Sequence, residues 1–453
     1  MKPANLETVE IESLAYGGEG IGHIQKKVIF VPLTAPGDRV RVKISENKRN
    51  YLRGTLEEFE LRSLQRAVPL CDYFGDCGGC HWQHIQYPFQ LDAKAKILQD
   101  SLARIGKVQP SEYEWLPPIH SPKAYGYRCR VRLQCHSQSK VVLGFFRAHS
   151  RDVVPVERCE LLPPFLNEIL RKLRDFLNSL DYLHPFTEIE ILADPDREEA
   201  VLAFQTASGL GEFVTDFLKA LKTQIPKVYG VTLEVDAAEQ KRNEDFGNCA
   251  LDVGFNCTSA ATQEPTTIAA KMRIHTFSQV NLEQNQNLHR IICEWAEPSQ
   301  DKTVLDIYCG MGNLSLPLAR RVNRVIGLEN NPHAVEDAGW NARRNGFENC
   351  EYRLTDVEDG LSTLQSELTP VDVAIVDPPR KGAKEAVRKI VALRPSKVLY
   401  VSCNPTTLAR DIEIFAYSNY RLKKIQMLDM FPQTFHIECV AELAPPSSCT
   451  VTG

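Results

Sequence analysis

The spacing of apolar and polar positions divides the chain into a β-rich beginning and an alternating α/β end. Over residues 7–60, short alternating runs are separated by glycine and proline turns, and alternate residues of 39–44 share one apolar face. This pattern predicts a small β-barrel. Between about 277 and 445, strand-like and helix-like runs alternate. Such alternation is typical of a parallel sheet covered by helices on both sides.

The middle of the chain mixes both patterns, which predicts an α+β central domain. The predicted elements there are a helix over 89–106, strands over 130–133 and 141–146, and helices near 163–180 and 211–224.

The composition is that of an ordinary globular protein, with 43% hydrophobic and 25% charged residues. The 453 residues suggest two to four domains. No apolar run approaches the roughly 18 residues that a membrane helix needs, and the first residues lack an apolar leader pattern. We therefore expect a cytoplasmic protein without a membrane partner.

The net charge of −5 argues only weakly against a nucleic-acid partner, because an acidic protein can carry a local basic surface. The barrel offers such a surface, and either a solvated strand face or an RNA contact would explain it. The basic positions are Arg39, Arg41, Lys43, Lys48, Arg49 and Arg53.

A glycine-rich loop follows the first strand of the α/β region. The buried-strand pattern of 303–308 leads into a loop with Gly310 and Gly312, where a tight turn can approach a ligand and a helix is expected to open. The next strand ends on Glu329, placed to accept hydrogen bonds from ribose hydroxyls. A dinucleotide-binding fold is the alternative, but Ser315 replaces the last glycine of G-x-G-x-x-G. We therefore favour S-adenosylmethionine as the cofactor.

Two later strands also end in reactive residues. One is followed by Asp377-Pro378-Pro379-Arg380, and the arginine, where amino-methylating enzymes have an aromatic residue, argues against that chemistry. The other is followed by Cys403, with Asn404 as a good N-cap for a helix. A thiol there lies at the carboxyl end of a strand and faces a helix N-terminus, which favours the thiolate. A buried structural cysteine is the alternative.

Methylation of uracil C5 would use such a thiol, because attack on C6 makes C5 nucleophilic. A base must then remove the C5 proton so that the thiolate can leave. In a strand over 431–440, Thr434, His436 and Glu438 would share one face. Glu438 is the candidate base and His436 a supporting polar residue; a surface carboxylate is the alternative for Glu438.

Three cysteines crowd together as Cys71-x5-Cys77-x2-Cys80, with Cys159 the best candidate for a fourth ligand and Cys129 or Cys135 as alternatives. Four thiolates suit either zinc or an iron–sulfur cluster. Zinc sites more often show two C-x2-C pairs, and only one is present. We therefore favour a [4Fe–4S] cluster with a structural or RNA-positioning role.

These segments together resemble the RNA uracil-5-methyltransferase family, particularly the branch that modifies large-subunit ribosomal RNA. The resemblance covers nearly the whole chain and includes Phe277-Ser278-Gln279-Val280-Asn281, the Asp-Pro-Pro-Arg and Ser-Cys-Asn-Pro motifs, and His436-x-Glu438. It implies a Rossmann-like S-adenosylmethionine methyltransferase domain, an N-terminal OB-like TRAM barrel and an α+β central domain that carries the metal cluster. The implied limits are 1–62 for the barrel, 63–88 and 120–276 for the central domain, and 89–119 and 277–453 for the catalytic domain.

The resemblance also implies roles for individual residues. Cys403 would be the nucleophile and Glu438 the base. The cofactor would be contacted by Gln279, Tyr308, Asn313, Glu329, Asp356 and Asp377. The cluster would be held by Cys71, Cys77, Cys80 and Cys159.

The expected partner is RNA, bound by a monomer. Family members specific for tRNA typically lack both the barrel and the cluster, so the resemblance favours 23S ribosomal RNA, with tRNA as the alternative. A non-catalytic RNA-binding or assembly factor is the rival from another class, but Cys403 and Glu438 are both present. A radical enzyme would want C-x3-C-x2-C, which this chain does not have.

Overall fold

A computed structural model describes the chain over residues 6–137, 140–180, 185–207, 211–237, 240–259 and 262–446. The outermost residues of the predicted first and last domains lie outside these ranges.

The N-terminal segment forms the predicted barrel. Its five strands close in the order β1-β2-β3-β5-β4. Their bounds are β1 Leu6–Leu14, β2 Gly20–Ile24, β3 Lys27–Val31, β4 Arg39–Asn47 and β5 Tyr51–Leu61. Alternation places Val9, Ile11, Val40 and Val42 inside, where each is almost completely buried. The barrel prediction is confirmed.

Much of the predicted basic surface of the barrel is paired with glutamates. Arg39 contacts Glu60 at 3.0 Å, and Arg41 contacts Glu58 at 3.3 Å, across the β4–β5 ladder. Lys48 and Arg53 pair with Glu46 and Glu19 respectively. This face of the barrel is therefore a mixed-charge surface.

A helix and a strand follow the loop that carries Cys71, Cys77 and Cys80, which we call the cysteine loop. They are α1 Tyr87–Arg104 and β6 Glu114–Ile119. Neither joins the barrel. α1 packs beside the helix Pro405–Tyr417, and β6 pairs in parallel with the strand Arg421–Leu428. Both elements therefore pack with the C-terminal part of the chain.

The central region is a seven-stranded sheet with two helices. Its strand order is β13-β12-β11-β10-β7-β8-β9. The strands are β7 Arg130–Ser137, β8 Val141–Phe146, β9 Val153–Pro155, β10 Phe186–Asp194, β11 Glu199–Thr206, β12 Val228–Ala237 and β13 Gln240–Gly247. The helices are α2 Pro164–Asn178 and α3 Val214–Gln224, and a hairpin of β14 Ala250–Ser259 and β15 Thr262–Arg273 follows.

The C-terminal sheet has eight strands in the order β18-β17-β16-β19-β20-β22-β21-β6. Its strands are β16 Thr303–Ile307, β17 Arg324–Glu329, β18 Cys350–Leu354, β19 Val373–Val376, β20 Lys397–Ser402, β21 Arg421–Leu428 and β22 Glu438–Ala444. The helices are α4 Leu282–Trp295, α5 Pro332–Arg344, α6 Val357–Ser366, α7 Lys384–Ala392 and α8 Pro405–Tyr417.

Both faces of this sheet are buried, as the alternating pattern predicts. Leu305 packs in a cluster with α1 and α6–α8, whereas its neighbour Val304 packs in another cluster with α4 and the β14–β15 hairpin. The strands from β18 to β20 are parallel, but β22 is inserted antiparallel between β20 and β21. The sheet is therefore mixed rather than wholly parallel.

Two local predictions were wrong. The loop after β16 does not open an α-helix, because Gly310 and Gly312 have φ of +53° and +84°, and a 3₁₀ helix follows only at Leu316–Arg321. The predicted strand over 431–440 begins only at Glu438. Gln433 has φ +68°, and its carbonyl accepts the N–H groups of His81 and Trp82, so 431–437 turns instead of extending.

Across the described part of the chain, no helix combines the length and apolar character needed to cross a bilayer.

Candidate active site

Five candidate site residues lie along one edge of the C-terminal sheet. The strands β18, β17, β16, β19 and β20 are consecutive and parallel, so their carboxyl ends meet at the same edge. The residues at or just beyond those ends are, in order, Asp356, Glu329, Tyr308, Asp377 and Cys403. The strand order thus places candidate cofactor residues on one half of the edge and the candidate nucleophile on the other.

Glu329 organises the glycine loop. One carboxylate oxygen accepts the N–H of Gly310 at 3.1 Å, and the other accepts the N–H groups of Asn330 and Asn331, each at 2.9 Å. Tyr308 has φ +64°, and its N–H donates to the carbonyl of Leu328 at 3.0 Å. The loop is therefore held in a defined shape by hydrogen bonds to the neighbouring strand.

The loop glycines provide room for a ligand. A Cβ on Gly310 would meet no atom within 4 Å, so a bound group can approach the backbone there. A Cβ on Gly312 would lie 2.8 Å from the Tyr352 hydroxyl, so that position requires glycine.

The remaining cofactor candidates differ in how free their side chains are. The Asn313 amide is bound to α4, accepting from Asn285 at 2.9 Å and contacting His289 at 3.0 Å. Asp356 is exposed and caps α6 by accepting the N–H of Glu358 at 3.1 Å. Gln279 is buried beside the site. Asn313 can therefore face a cofactor only through its main chain unless its amide leaves α4.

Strand register brings Cys403 to Glu438. In the antiparallel pair of β20 and β22, Ser402 lies opposite Cys439, so the next position along places Cys403 opposite Glu438. The predicted helix cap is present, since the Asn404 side chain accepts from the N–H of Thr406 at 3.0 Å. Asn404 also donates to the carbonyl of Arg380 at 3.2 Å, which ties the Asp-Pro-Pro-Arg segment to the cap.

Burial dominates the electrostatics of this pair. It raises the pKa of Cys403 to about 12, with Glu438 and Asp377 adding to the shift and Arg380 opposing it. Burial, together with Asp377, also holds the pKa of Glu438 well above its usual range. Burial and Asp306 raise the pKa of Asp377 to about 7. In this structure, burial and the two carboxyl groups therefore outweigh the influences that favour the thiolate.

A cluster of aromatic rings from three separate segments lies next to Cys403. The Tyr16 hydroxyl of the barrel donates to the Cys403 carbonyl at 3.4 Å, and its ring lies 5.4 Å from that of Phe435. His81, next to the cysteine loop, lies 4.5 Å from Phe435, which in turn lies 4.5 Å from His436. Sequence reasoning assigned no role to Tyr16, His81 or Phe435, because no local pattern connects them.

The turn before β22 is held by α1. Lys94 and Asp429 form a fully buried ion pair at 2.7 Å, and Lys94 also donates to the Phe431 carbonyl at 3.0 Å. Gln90 exchanges hydrogen bonds with Gln433, accepting its N–H and donating to its side-chain oxygen, both at 3.0 Å. We name these five residues and their contacts the α1 anchor. Sequence reasoning missed it, since its members are more than 300 positions apart.

The cysteine loop closes on a separate cavity of about 210 Å³. Its wall includes the four cysteines predicted as ligands: Cys71, Cys77, Cys80 and Cys159. Of the alternatives, Cys129 instead directs its thiol to the Gln279 carbonyl at 3.5 Å. Burial raises the pKa of Cys80 to about 12 and that of Cys159 to about 11.

A larger polar cleft of about 660 Å³ lies between the central sheet and the segment that carries Gln279. Arg130, Arg132 and His275 line it, and the ring of Phe277 at its wall is 68% exposed.

A Rossmann-like sheet with a glycine loop after one strand and a carboxylate at the end of the next is the architecture of α/β methyltransferases. The comparisons with known proteins agree. The profile described as tRNA (Uracil-5-)-methyltransferase matches residues 86–444, and the TRAM domain matches residues 6–56. The chain belongs to the RNA uracil-5-methyltransferase family, and is thus an S-adenosylmethionine-dependent enzyme that methylates C5 of uracil in RNA.

Individual relatives extend over nearly the whole chain. The 23S rRNA (uracil(1939)-C(5))-methyltransferase RlmD of Mannheimia succiniciproducens is 35% identical, over 95% of this chain and 94% of that protein. An uncharacterized RNA methyltransferase of Thermosynechococcus vestitus is 34% identical, over 96% and 97%. The crystal structure of Pyrococcus abyssi tRNA (uracil-54, C5)-methyltransferase with S-adenosyl-L-homocysteine superposes with a TM-score of 0.72 at 24% identity, covering 97% of this chain and 100% of that one. The last comparison establishes the shared fold.

Proposed function

We propose that this enzyme methylates C5 of a uridine in 23S ribosomal RNA, with Cys403 as the nucleophile and Glu438 as the base. The observation that carries the assignment is the register of β20 and β22, which sets a thiol opposite a buried carboxyl at the ligand-binding edge of the sheet. The ribosomal substrate is supported by relatives such as RlmD, which align over nearly their whole length.

The reaction requires the two side chains in succession. The Cys403 thiolate bonds to C6 of the uracil ring, and the resulting enolate makes C5 nucleophilic. S-adenosylmethionine, when bound, supplies the methyl group that C5 takes. Glu438 then removes the C5 proton, and re-formation of the C5–C6 double bond expels the thiolate. Arg380, which lowers the pKa of Cys403, would stabilise the thiolate at the start of this sequence.

The cofactor would lie along the edge formed by β18, β17, β16 and β19. Glu329 would accept hydrogen bonds from its ribose, and the open approach to Gly310 would admit it to the loop. The side chains proposed to complete its site are Gln279, Tyr308, Asp356 and Asp377, with Asn313 acting through its main chain.

The cavity walled by Cys71, Cys77, Cys80 and Cys159 would hold a [4Fe–4S] cluster. Among the described residues, no three ligating side chains converge closely enough for a single metal ion. Four thiols on the wall of one cavity of about 210 Å³ would suit a multi-iron cluster, in which each thiolate binds a different iron. The cluster would contribute rigidity to the loop that leads to His81.

Trapping with 5-fluorouridine tests the chemistry. Fluorine replaces the proton that Glu438 removes, so the covalent adduct between Cys403 and the RNA cannot resolve. We expect protein and fluorinated ribosomal RNA to form a stable complex in the presence of S-adenosylmethionine. Cys403→Ala should abolish the complex, whereas Cys439→Ala, which removes the neighbouring buried thiol, should retain it. Trapping by Cys403→Ala would refute the assignment.

A tRNA arm of the same experiment tests the substrate. The matching profile is named for tRNA, so tRNA is the second candidate. Trapping on fluorinated ribosomal RNA and not on tRNA supports the proposal, and mapping the crosslink names the uridine. Trapping on tRNA alone would keep the chemistry and replace the substrate, and trapping on neither would indicate a non-catalytic RNA-binding role.

Metal analysis of anaerobically purified protein tests the cluster. Iron and acid-labile sulfide in equal amounts are expected, and they should fall together when Cys159 is replaced by alanine. Zinc without iron or sulfide would overturn the cluster.

A further inference from the structure

One arginine stands between the cysteine cavity and the polar cleft. The side chain of Arg128 lines both spaces. Its Nε is buried and, among the described residues, has no hydrogen-bond partner. It is close enough to Cys80 and Cys159 to interact electrostatically with both thiols. A buried donor without a partner, on a residue that lines a cavity, is expected to contact something that the cavity holds.

The backbone around Arg128 fixes this position. The Arg128 N–H donates to the carbonyl of Leu161 at 3.0 Å, two residues beyond Cys159. The next N–H, that of Cys129, donates to the carbonyl of Val280 at 2.8 Å, beside Gln279. Arg128 is therefore held between a proposed cluster ligand and the segment that borders the cofactor.

Charge pairing distinguishes Arg128 from the other arginines around the cysteine cavity. Arg132 contacts Glu190 at 2.8 Å and Glu188 at 3.3 Å, and Arg158 contacts Glu160 at 2.8 Å. Within the described ranges, no ion pair joins Arg128 to a carboxylate; its guanidinium interacts instead with the side chain of Tyr127 and with the Cys159 and Cys80 thiols.

Four thiolates and an iron–sulfide core carry net negative charge, which is unfavourable in a buried site unless a cation or hydrogen-bond donors compensate it. We propose that Arg128 is the charge-compensating donor of the cluster, with its guanidinium directed at the Cys80 and Cys159 sulfurs. This inference rests on the proposed [4Fe–4S] cluster. It makes Arg128 a positioning residue that stabilises the cluster and favours its more negatively charged, reduced state.

The test compares Arg128→Met, Arg128→Lys and Arg132→Met, all purified anaerobically as the full chain. Arg132 is the matched control, since it lines the same two spaces but is already paired. We expect Arg128→Met to lose the charge-transfer absorbance of the cluster to an iron chelator roughly tenfold faster than the parent. Arg128→Lys should be intermediate, because it keeps the charge and loses the fork geometry. Arg132→Met should match the parent.

The midpoint potential of the cluster separates charge compensation from simple packing. Removing a cation should shift the potential of Arg128→Met to more negative values, with Arg132→Met unchanged. Equal chelation rates and equal potentials in Arg128→Met and Arg132→Met would overturn the inference. A parent protein without iron and sulfide would instead overturn the cluster itself. If Arg128→Met is insoluble, the same comparison is made with Arg128→Gln, which removes the charge but keeps a polar side chain.

Discussion

The two halves of the sheet's carboxyl edge are built in different ways. One half, at β16–β18, carries the proposed cofactor site, and we call it the cofactor half. There Glu329 accepts the N–H groups of Gly310, Asn330 and Asn331, which lie within twenty positions of it. The other half carries Cys403 and Glu438, and we call it the catalytic half. There the turn before Glu438 is held by the α1 anchor and by Tyr127, whose hydroxyl donates to the Pro432 carbonyl from 305 positions away. One half is assembled from neighbouring strands, and the other from the whole chain.

The halves also differ in charge. The Glu329 carboxylate has three backbone donors, whereas Glu438 lies buried near Asp377 and Cys403, in an arrangement that raises the pKa of all three. A residue that binds a cofactor, the role proposed for Glu329, can have its hydrogen bonds formed in advance, whereas the proposed base Glu438 and the proposed nucleophile Cys403 must stay reactive. The comparison therefore predicts that damage to one half leaves the other intact.

The largest effect is expected from Glu438→Gln, which should lower kcat by roughly 10²–10⁴-fold, because proton removal from C5 loses its base. The C6 adduct should then accumulate even on unfluorinated RNA, and S-adenosylmethionine affinity should stay close to that of the parent. Single-turnover methylation measures the rate, a denaturing gel detects the covalent adduct, and isothermal titration measures the affinity for S-adenosylmethionine. Glu385→Gln, an exposed carboxylate of the same domain, is the control. A Glu438→Gln enzyme with the parent's rate would contradict the assignment.

Lys94→Met should lower the free energy of unfolding by about 3–5 kcal/mol, because it leaves Asp429 buried without its partner. Lys96 on the same helix pairs with Asp100 at 3.6 Å, and both side chains are exposed to solvent. Lys96→Met should therefore change the free energy of unfolding by less than about 0.5 kcal/mol. Denaturant unfolding measures the difference. Adding Asp429→Leu should restore part of the loss, since the uncompensated charge is removed.

The same variant sharpens the comparison between the halves. In Lys94→Met, fluorouridine trapping should fall because the turn before Glu438 loses its anchor, while cofactor binding should persist. Parallel loss of both would show that the edge is a single unit.

The strands and turns of the cofactor half can be predicted from the sequence, because their signals are local, whereas the cofactor contacts stay a prediction. A buried strand, two glycines and a carboxylate at the next strand's end each carry their own pattern, and the helix cap at Asn404 was confirmed. The loop after β16 was mistaken for a helix start, since the positive φ values of Gly310 and Gly312 are a backbone property that periodicity does not report.

The catalytic half was predicted only as a list of residues. Neither the antiparallel insertion of β22, which sets Glu438 opposite Cys403, nor the turn at Gln433 follows from alternation in 431–440. The turn is held by contacts with α1 and the segment at His81, which no nearby pattern indicates. Two signals were available in retrospect: a lysine at the apolar face of α1, and Pro432 within the proposed strand.

Glu329→Gln should weaken S-adenosylmethionine binding by roughly 10–100-fold, because charge-assisted hydrogen bonds to the loop and to a ribose are each replaced by neutral ones. At saturating cofactor, kcat should change little, since the catalytic half is held elsewhere. Isothermal titration measures the affinity for S-adenosylmethionine, and steady-state kinetics separate the change in KM from the change in kcat. Glu348→Gln, which alters an exposed carboxylate, is the control. A loss confined to kcat would contradict the proposed role.

The pH dependence probes the catalytic half alone. The raised pKa values mean that Cys403, Glu438 and Asp377 keep their protons to higher pH than free side chains do, and the chemistry needs the thiolate and the carboxylate. The rate of adduct formation should therefore rise with pH, by up to about tenfold per unit, over the whole range below the raised pKa of Cys403, which lies at about 12. Ionisation of Asp377 near pH 7 should reduce the slope, because its negative charge raises the pKa of Cys403. RNA affinity of Cys403→Ala over the same range is the control; a rate that falls with pH would contradict the electrostatics.

The smallest effect tests whether the barrel contributes to the catalytic half. Tyr16 reaches the Cys403 carbonyl through a long hydrogen bond of 3.4 Å, so Tyr16→Phe should slow trapping by only about two- to threefold. Tyr16→Ala also removes the ring contact with Phe435 and should slow it further. Equal rates for the two variants would mean that the ring contact does not hold the site. An unchanged rate in both would confine the barrel to binding RNA, and the catalytic half would then be assembled by α1 and the segment at His81 without it.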